Sequence, residues 1–411
     1  MDDSRAQLYG GPPILSLAIT WTTMAPLALL CLGCEIPFLT DMKTAVLLLC
    51  WILVIFCIAQ RTAHLFEQCW RAKYSFVIPA IAILSTLWSQ DPPRTLLKGL
   101  CLLLVTVFAV YLVNRYNSEE IIHIFYIVGN TLLVLSVVYC LAFPGSGIGP
   151  EGWRGAFHTK NDAARVIAFL FPSALYYKPR LASGEIMRKL FLGATCVFLL
   201  LTRSVTGLAS VAILILLYSL WALIRRLAAT EKGITVALSV FAALALASLA
   251  YYYAKDILPL FGKDITLTGR TKIWSSVIRS IAKRPWLGYG HGAFWTGQGE
   301  ATNTYLVANW TVPYAHNGFL DVLLQIGFVG LAAVCFVFVK AVKDTALDIS
   351  AKISGYAFWC LSILLMTFVF NLDEGTFISE ERIYWLLFLV VSVGMHRPNR
   401  LHEREAAFFA N

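Results

Sequence analysis

Charge is what this sequence has least of. Asp, Glu, Lys and Arg make up 14% of its 411 residues, against 58% hydrophobic residues, and the mean hydropathy is +0.70. A soluble chain so poor in charge would expose large apolar patches, so this composition reads as an integral membrane protein. Also missing are the alternating ten-residue patterns of an outer-membrane barrel, internal repeats, linkers and low-complexity segments. No H-E-x-x-H, G-x-S-x-G or D-x-D stands out. The lack of a D-x-D or similar carboxylate cluster argues against metal-dependent sugar transfer, and no metal or cofactor is expected. Cysteine is absent from 254–315, and the ten cysteines lie in or beside apolar runs, as buried small hydrophobes do. Cys31 and Cys34 form a C-x-x-C with no supporting ligand nearby. L-G-C ending at Cys34 has the look of a lipoprotein cleavage site, but the acidic Met1-Asp2-Asp3 start and the many later spans favour an uncleaved first helix.

What is present is a series of apolar runs of helical-span length. Twelve are expected, at 14–32, 43–59, 74–89, 95–113, 121–143, 161–178, 188–202, 204–224, 233–253, 316–340, 353–371 and 383–396. The expected fold is therefore all-α: a polytopic bundle of about twelve transmembrane helices, one domain over 1–411, with a large loop at 254–315 carrying short interfacial helices. The net charge of +9 sits mostly in short loops (Arg61, Arg71, Lys73, Lys178, Arg180, Arg188, Lys189, Arg225, Arg226), the positive-inside pattern, so nucleic acid is not an expected partner. That pattern puts both termini in the cytoplasm and the 254–315 loop on the opposite side.

Four more segments share the side of the long loop: Trp88 to Pro93, the glycine-rich stretch Pro144 to Lys160, the tight turn Leu201 to Ser204, and the acidic stretch Asn371 to Arg382. Within the long loop, residues 269–284 read as an interfacial helix. Ile273, Trp274, Val277, Ile278 and Ile281 are expected on the apolar face; Lys272, Ser275, Ser276, Arg279 and Lys283 are expected on the polar one. Thr268 is the expected N-cap, and Pro285 stops the helix. Gly288-Tyr289-Gly290-His291-Gly292 lacks a preceding strand or following G-K-S/T, and reads as a flexible turn rather than a phosphate loop.

The candidates for chemistry lie at the mouths of spans. Arg154, Arg203 and Arg270 sit in three separate segments at one surface. Guanidinium forks match phosphate oxygens, and three that converge can hold a diphosphate without a metal. Taken singly, each reads equally as a headgroup anchor, although charge at the depth of Arg203 is costly without a function. His316 opens the tenth span; an imidazole there can take a proton from a hydroxyl, or simply bond the helix start. Asn317, Asp321 and Gln325 form a stripe on that helix, serving either interhelical hydrogen bonds or a site. His158, Lys160, Asn161 and Arg165 cluster at the start of the sixth span, and Arg165 must find a lipid phosphate or a carboxylate such as Asp321.

Taken in order, W-S-Q-D-P-P, G-W-R-G-A-F-H-T-K-N, L-T-R-S, T-G-R-T-K-I-W, P-W-L-G-Y-G and A-H-N-G-F-L-D-V-L-L-Q-I-G-F-V-G resemble the O-antigen ligase and polymerase superfamily of bacterial inner-membrane glycosyltransferases. The resemblance covers most of the chain. It implies metal-independent transfer of a glycan from an undecaprenyl-diphosphate carrier to a sugar hydroxyl of lipid A–core, in lipopolysaccharide biosynthesis, on the periplasmic side. By motif, His316 is similar to the family's loop-end histidine, Arg203 and Arg270 to its essential arginines, and Arg154 to the arginine before the sixth span. His158, Lys160, Asn161, Arg165, Trp274 and Asn317 are the expected substrate-binding neighbours.

Two related reactions keep the same chemistry: an O-antigen polymerase adds to another lipid-linked glycan, and an O-oligosaccharyltransferase adds to protein Ser or Thr. Only about fifteen residues follow the last span, which favours the ligase over the protein-acting relatives. A lipid-linked glycan transporter is the reading from a different class; it calls for inverted repeats, which the sequence does not show.

Overall fold

The structure, a computed structural model, describes residues 43–59, 65–227, 270–297, 299–308, 311–351 and 354–394. The expected spans 14–32 and 233–253, Thr268, and Cys31 and Cys34 lie outside the described residues. The helices are α1 (Lys43–Ala59), α2 (Leu65–Arg71), α3 (Val77–Leu84), α4 (Pro92–Arg115), α5 (Ser118–Ala142), α6 (Lys160–Tyr176), α7 (Ala182–Thr202), α8 (Val205–Leu227), α9 (Arg270–Lys283), α10 (Ala301–Ala308), α11 (Gly318–Ala351), α12 (Gly355–Asp373) and α13 (Ile383–Gly394). The only sheet among the described residues is a two-stranded antiparallel pair, β1 (Ile148–Gly149) and β2 (Gly152–Trp153). Five of these helices are long and apolar enough to cross a membrane: α4, α5, α8, α11 and α12. Lys73–Trp88 is a shorter apolar segment, with a 3-10 turn on either side of α3.

Local chemistry sets the helix starts. Asp91 accepts from the Arg94 amide, and Pro92-Pro93, which cannot extend the preceding segment, supply the first turn of α4. Asn117 and Glu120 form a capping box on α5. Thr159 caps α6 by accepting from the Asp162 amide, and Ser354 caps α12.

Two helices form the centre. Every residue of α6 from Ala163 to Tyr176 is buried, as is all of α13; helices apolar on all sides belong inside a bundle. α6 packs against α5, α7, α8 and α12, while α13 packs against α4, α11 and α12. Outward faces carry exposed Leu, Ile and Val, such as Ile52, Leu190, Val197 and Leu200, as a lipid-facing surface does.

The long expected span beginning at 316 is broken. Gly327 has φ 65° and ψ −166° within α11, and the backbone groups freed there are taken up by the 285–290 segment. The Phe328 amide donates to the Pro285 carbonyl (2.8 Å) and that of Val329 to Trp286 (3.2 Å); the Tyr289 and Gly290 amides donate to Leu324 (2.8 Å) and Gln325 (2.9 Å). Irregular backbone at this depth requires such internal partners. The G-Y-G-H-G stretch is therefore a packed clamp rather than a flexible turn: the His291 amide donates to Ser85 Oγ, and that of Gly292 to Gln325 Oε1.

α9 forms where expected and lies over the bundle, against α10 and α11. Ile273, Val277 and Ile281 are buried in a second apolar cluster with Tyr289, Phe294, Val312, Ala315 and Leu324. Two face assignments are corrected. Ser276 is buried, its hydroxyl 3.0 Å from Thr304 Oγ1, while Ile278 is exposed. At 100° per residue, the stripe of 273, 277 and 281 includes 276 and 280 and leaves 278 to the side.

Candidate active site

The segments assigned by sequence to one side meet at one end of the bundle. Asn371–Arg382, the last turn of α12 and the loop from it to α13, is the hub, and Glu374 is its centre. This carboxylate is buried. Its Oε1 lies 3.2 Å from Arg270 Nη2, at the first residue of α9. Its Oε2 lies 3.2 Å from Arg165 Nη2 on α6 and 3.3 Å from His316 Nδ1 just before α11. Burial alone would raise the pKa of Glu374; Arg165, His316 and Arg270 together outweigh it and hold the pKa at about 2. Tyr314 stacks a tilted ring on His316, with centroids 4.4 Å apart, and burial pushes its phenol well above the usual range.

His316 is held in an unusual backbone conformation, φ 52°. Among the described residues, the non-glycine residues with positive φ are Arg203, His316 and Ile378. Strained backbone of this kind persists only where the surroundings over-determine it, and it concentrates at functional sites. Around His316 the determinants are explicit. Trp274 Nε1 donates to the Ala315 carbonyl at 2.9 Å. Asn317 Oδ1 accepts from the Phe319 and Leu320 amides, capping α11, and its Nδ2 donates to the Leu372 carbonyl at 3.3 Å. Asn317 and Trp274 thus contact the backbone that carries His316.

Arg165 is buried. Its carboxylate partners are Glu374 and, at 3.3 Å, Asp162 one turn earlier; Asp321 is not among them. Asn161, four residues before Arg165, accepts from Ser204 Oγ at 3.4 Å. That bond docks the Arg203 turn on the first turn of α6. The β1–β2 hairpin packs on the same turn, since a side chain at Gly152 (φ 140°) would run into the Thr202 carbonyl. Arg203 is exposed, closes α7 in the left-handed conformation, and makes no ion pair among the described residues. Arg154 Nε donates to the Ser146 carbonyl. Lys160 pairs with Glu151 at 3.2 Å, and His158 is exposed. Arg270, Arg165 and His316 are therefore gathered on one carboxylate, whereas Arg154, Arg203, His158 and Lys160 surround the N-terminus of α6.

The grouping has an electrostatic consequence. The two guanidinium charges of Arg165 and Arg270 are met by the carboxylates of Glu374 and Asp162. Charge left over for an anion comes from the second group, at a helix N-terminus whose amides also favour anions.

A second buried carboxylate of the same loop, Glu380, bonds Lys98 on α4 and lies 3.5 Å from His291 Nε2. Burial would raise its pKa; Lys98 and His291 hold it at about 2. His291 Nδ1 is 2.8 Å from Gln325 Oε1. Gln325, in the polar stripe of α11, thus anchors the glycine clamp. The residues that sequence reading missed, Glu374, Asp162 and Tyr314, left a faint signal: an acidic segment at the right surface, and a carboxylate three residues before a buried arginine.

Residues 190–335 match the family described as O-Antigen ligase. The chain is also similar to the Exopolysaccharide production protein ExoQ of Rhizobium meliloti (strain 1021), at 27% identity over 277 residues, which cover 65% of this chain and 63% of that protein. The aligned part thus spans under two thirds of the relative's length. These matches bear out the resemblance read from the motifs: the matched residues 190–335 include Arg203, Arg270 and His316. Glu374 lies beyond the matched segment.

Proposed function

We propose that this membrane protein, similar over residues 190–335 to the O-antigen ligase family, is a glycosyltransferase that moves a glycan from undecaprenyl diphosphate to a sugar hydroxyl of lipid A–core, at the periplasmic face of a bacterial inner membrane. The observation that carries this reading is the convergence of His316, Arg270 and Arg165 on the buried carboxylate of Glu374.

In this mechanism the acceptor oxygen attacks the anomeric carbon while the bond from that carbon to the diphosphate oxygen breaks, its electron pair leaving with the lipid diphosphate. The hydroxyl proton passes to His316. With Nδ1 turned to Glu374, the proton is taken at Nε2, and the imidazolium that forms is stabilised by the carboxylate. Direct attack without a protein nucleophile inverts the anomeric centre. Arg203 meets the charge that develops on the diphosphate, with Arg270 at the edge of the cluster. Arg154, His158, Lys160 and Asn161 line the donor's approach to the α6 N-terminus. Arg165 fixes Glu374, while Trp274 and Asn317 fix the turn of His316.

The test is a reconstituted transfer assay with undecaprenyl-diphosphate-linked O-antigen, lipid A–core and EDTA. A glycosylated lipid A–core ladder is expected, reduced by about 10²–10⁴ in His316→Ala, the range of a lost general base. An undiminished ladder in His316→Ala would overturn the base role. A second reading, polymerisation onto another carrier-linked glycan, is favoured by the similarity to a protein named for exopolysaccharide production. In the same assay it predicts longer carrier-linked chains and no ladder on lipid A–core.

A further inference from the structure

Asp321 has no evident reason to be where it is. It is a carboxylate one turn into an apolar helix, 5% exposed, and it forms no ion pair among the described residues. Yet its bonds are specific. Oδ1 accepts from the Ala315 amide at 2.9 Å and from Trp295 Nε1 at 2.9 Å. Oδ2 has no hydrogen-bond partner among the described residues and packs on Gly375, where a Cβ atom would come within 2.9 Å of it.

Both bonded backbone groups of Ala315 are therefore held from outside: the amide by Asp321, the carbonyl by Trp274. The carbonyl belongs to the peptide that sets φ of His316, the residue in the left-handed conformation. Gly375 adjoins Glu374, the carboxylate that faces the His316 ring. One side chain thus touches both strands of the arrangement, the turn that carries the imidazole and the loop that carries its carboxylate partner.

We infer that Asp321 is a positioning residue for the proposed base: Oδ1 fixes the turn that presents His316, and Oδ2, against Gly375, sets that turn in register with Glu374. The inference rests on the reading of His316 as base. It assigns Asp321 no contact with either substrate. A misplacement of about 1 Å at a reacting group costs about 10²-fold in rate, so a residue with this role acts on kcat and leaves donor binding alone.

The test uses the full chain in lipid nanodiscs with undecaprenyl-diphosphate-linked glycan and the acceptor that the transfer assay identifies, and it reads kcat, donor KM and the thermal midpoint. Asp321→Asn keeps an oxygen acceptor at Oδ1 and is expected to retain kcat within about 3-fold, whereas Asp321→Ala is expected to lose about 10²-fold in kcat with donor KM unchanged. Gly375→Ala removes no polar group and is expected to lower kcat about 10-fold by pressing on Oδ2, the scale of a sub-ångström shift. Added to Asp321→Ser, which vacates that space, Gly375→Ala should cost nothing more. Full kcat in Asp321→Ala, or equal loss in Asn and Ala, would overturn the inference. If Asp321→Ala does not fold, full kcat in Gly375→Ala would overturn it instead. His316→Ala keeps the two readings apart: if it is inactive while Asp321→Ala is fully active, only the positioning role falls; if it is fully active, the base itself falls.

Discussion

Trp274 donates its indole N–H to the carbonyl oxygen of Ala315 at 2.9 Å. The amphipathic helix that opens with Arg270 is thereby tied to the peptide immediately before His316, so two candidate residues 46 positions apart in the sequence share one rigid support. Trp274→Phe keeps the ring and removes the donor. It should cost about 1 kcal/mol of stability, the usual worth of one hydrogen bond, with a larger proportional loss of transfer. Thermal midpoints and transfer rates measured on the same preparation check this.

Breaking the Arg165–Glu374 pair is expected to be severe, because the partner left behind is a buried charge with only part of its compensation: Asp162 for Arg165, Arg270 and His316 for Glu374. Arg165→Met or Glu374→Gln should each destabilise by about 3–5 kcal/mol. The double substitution should be less damaging than their sum, since it removes both charges together. Unfolding of all three variants in one detergent decides the point.

Stability should fall at acid pH in a defined window. Glu374 and Glu380 have folded pKa values of about 2, against an ordinary 4.5. A carboxylate lowered in this way contributes stability that is fully present above pH 4.5 and is lost as pH falls towards 2. Thermal midpoints should therefore be level from pH 7 to about pH 5 with respect to these two groups, then drop, and Glu380→Gln should lessen the drop.

Arg203 separates function from folding. It is exposed and forms no ion pair among the described residues, so Arg203→Ala should leave the thermal midpoint within the ±0.5 kcal/mol or so typical of surface changes. Transfer should nevertheless fall, and Arg203→Lys should restore only part of it, because an ammonium lacks the bidentate fork. Equal transfer in all three proteins would remove Arg203 from the diphosphate site.

Gly327→Ala should damage the site without touching it. A Cβ there would run into the Trp286 carbonyl, and φ is 65°. The clamp between α11 and 285–290 would open, loosening His291 and the loop behind it. Lower thermal stability together with lower transfer is the expected outcome.

Much of this arrangement was legible along the chain. Apolar runs, proline positions and capping residues located helices such as α1, α4 and α9, because span length and helix ends depend on neighbours a few residues away. The motifs around Arg203, Arg270 and His316 pointed to residues at one surface, two of them in strained backbone. Tertiary structure alone decided who pairs with whom. Arg165 takes Glu374 rather than Asp321, and Glu374 reaches Arg270 across 104 residues; no local pattern encodes which distant carboxylate helix packing brings within 4 Å. The break at Gly327 is likewise invisible in G-F-V-G, since it depends on backbone groups from 285–290 arriving to satisfy it. The sequence by itself determined an apolar, helical frame with a polar end. Packing decided that two guanidiniums and an imidazole share one carboxylate there, because ion pairs form by distance in space while periodicity and capping act along the chain.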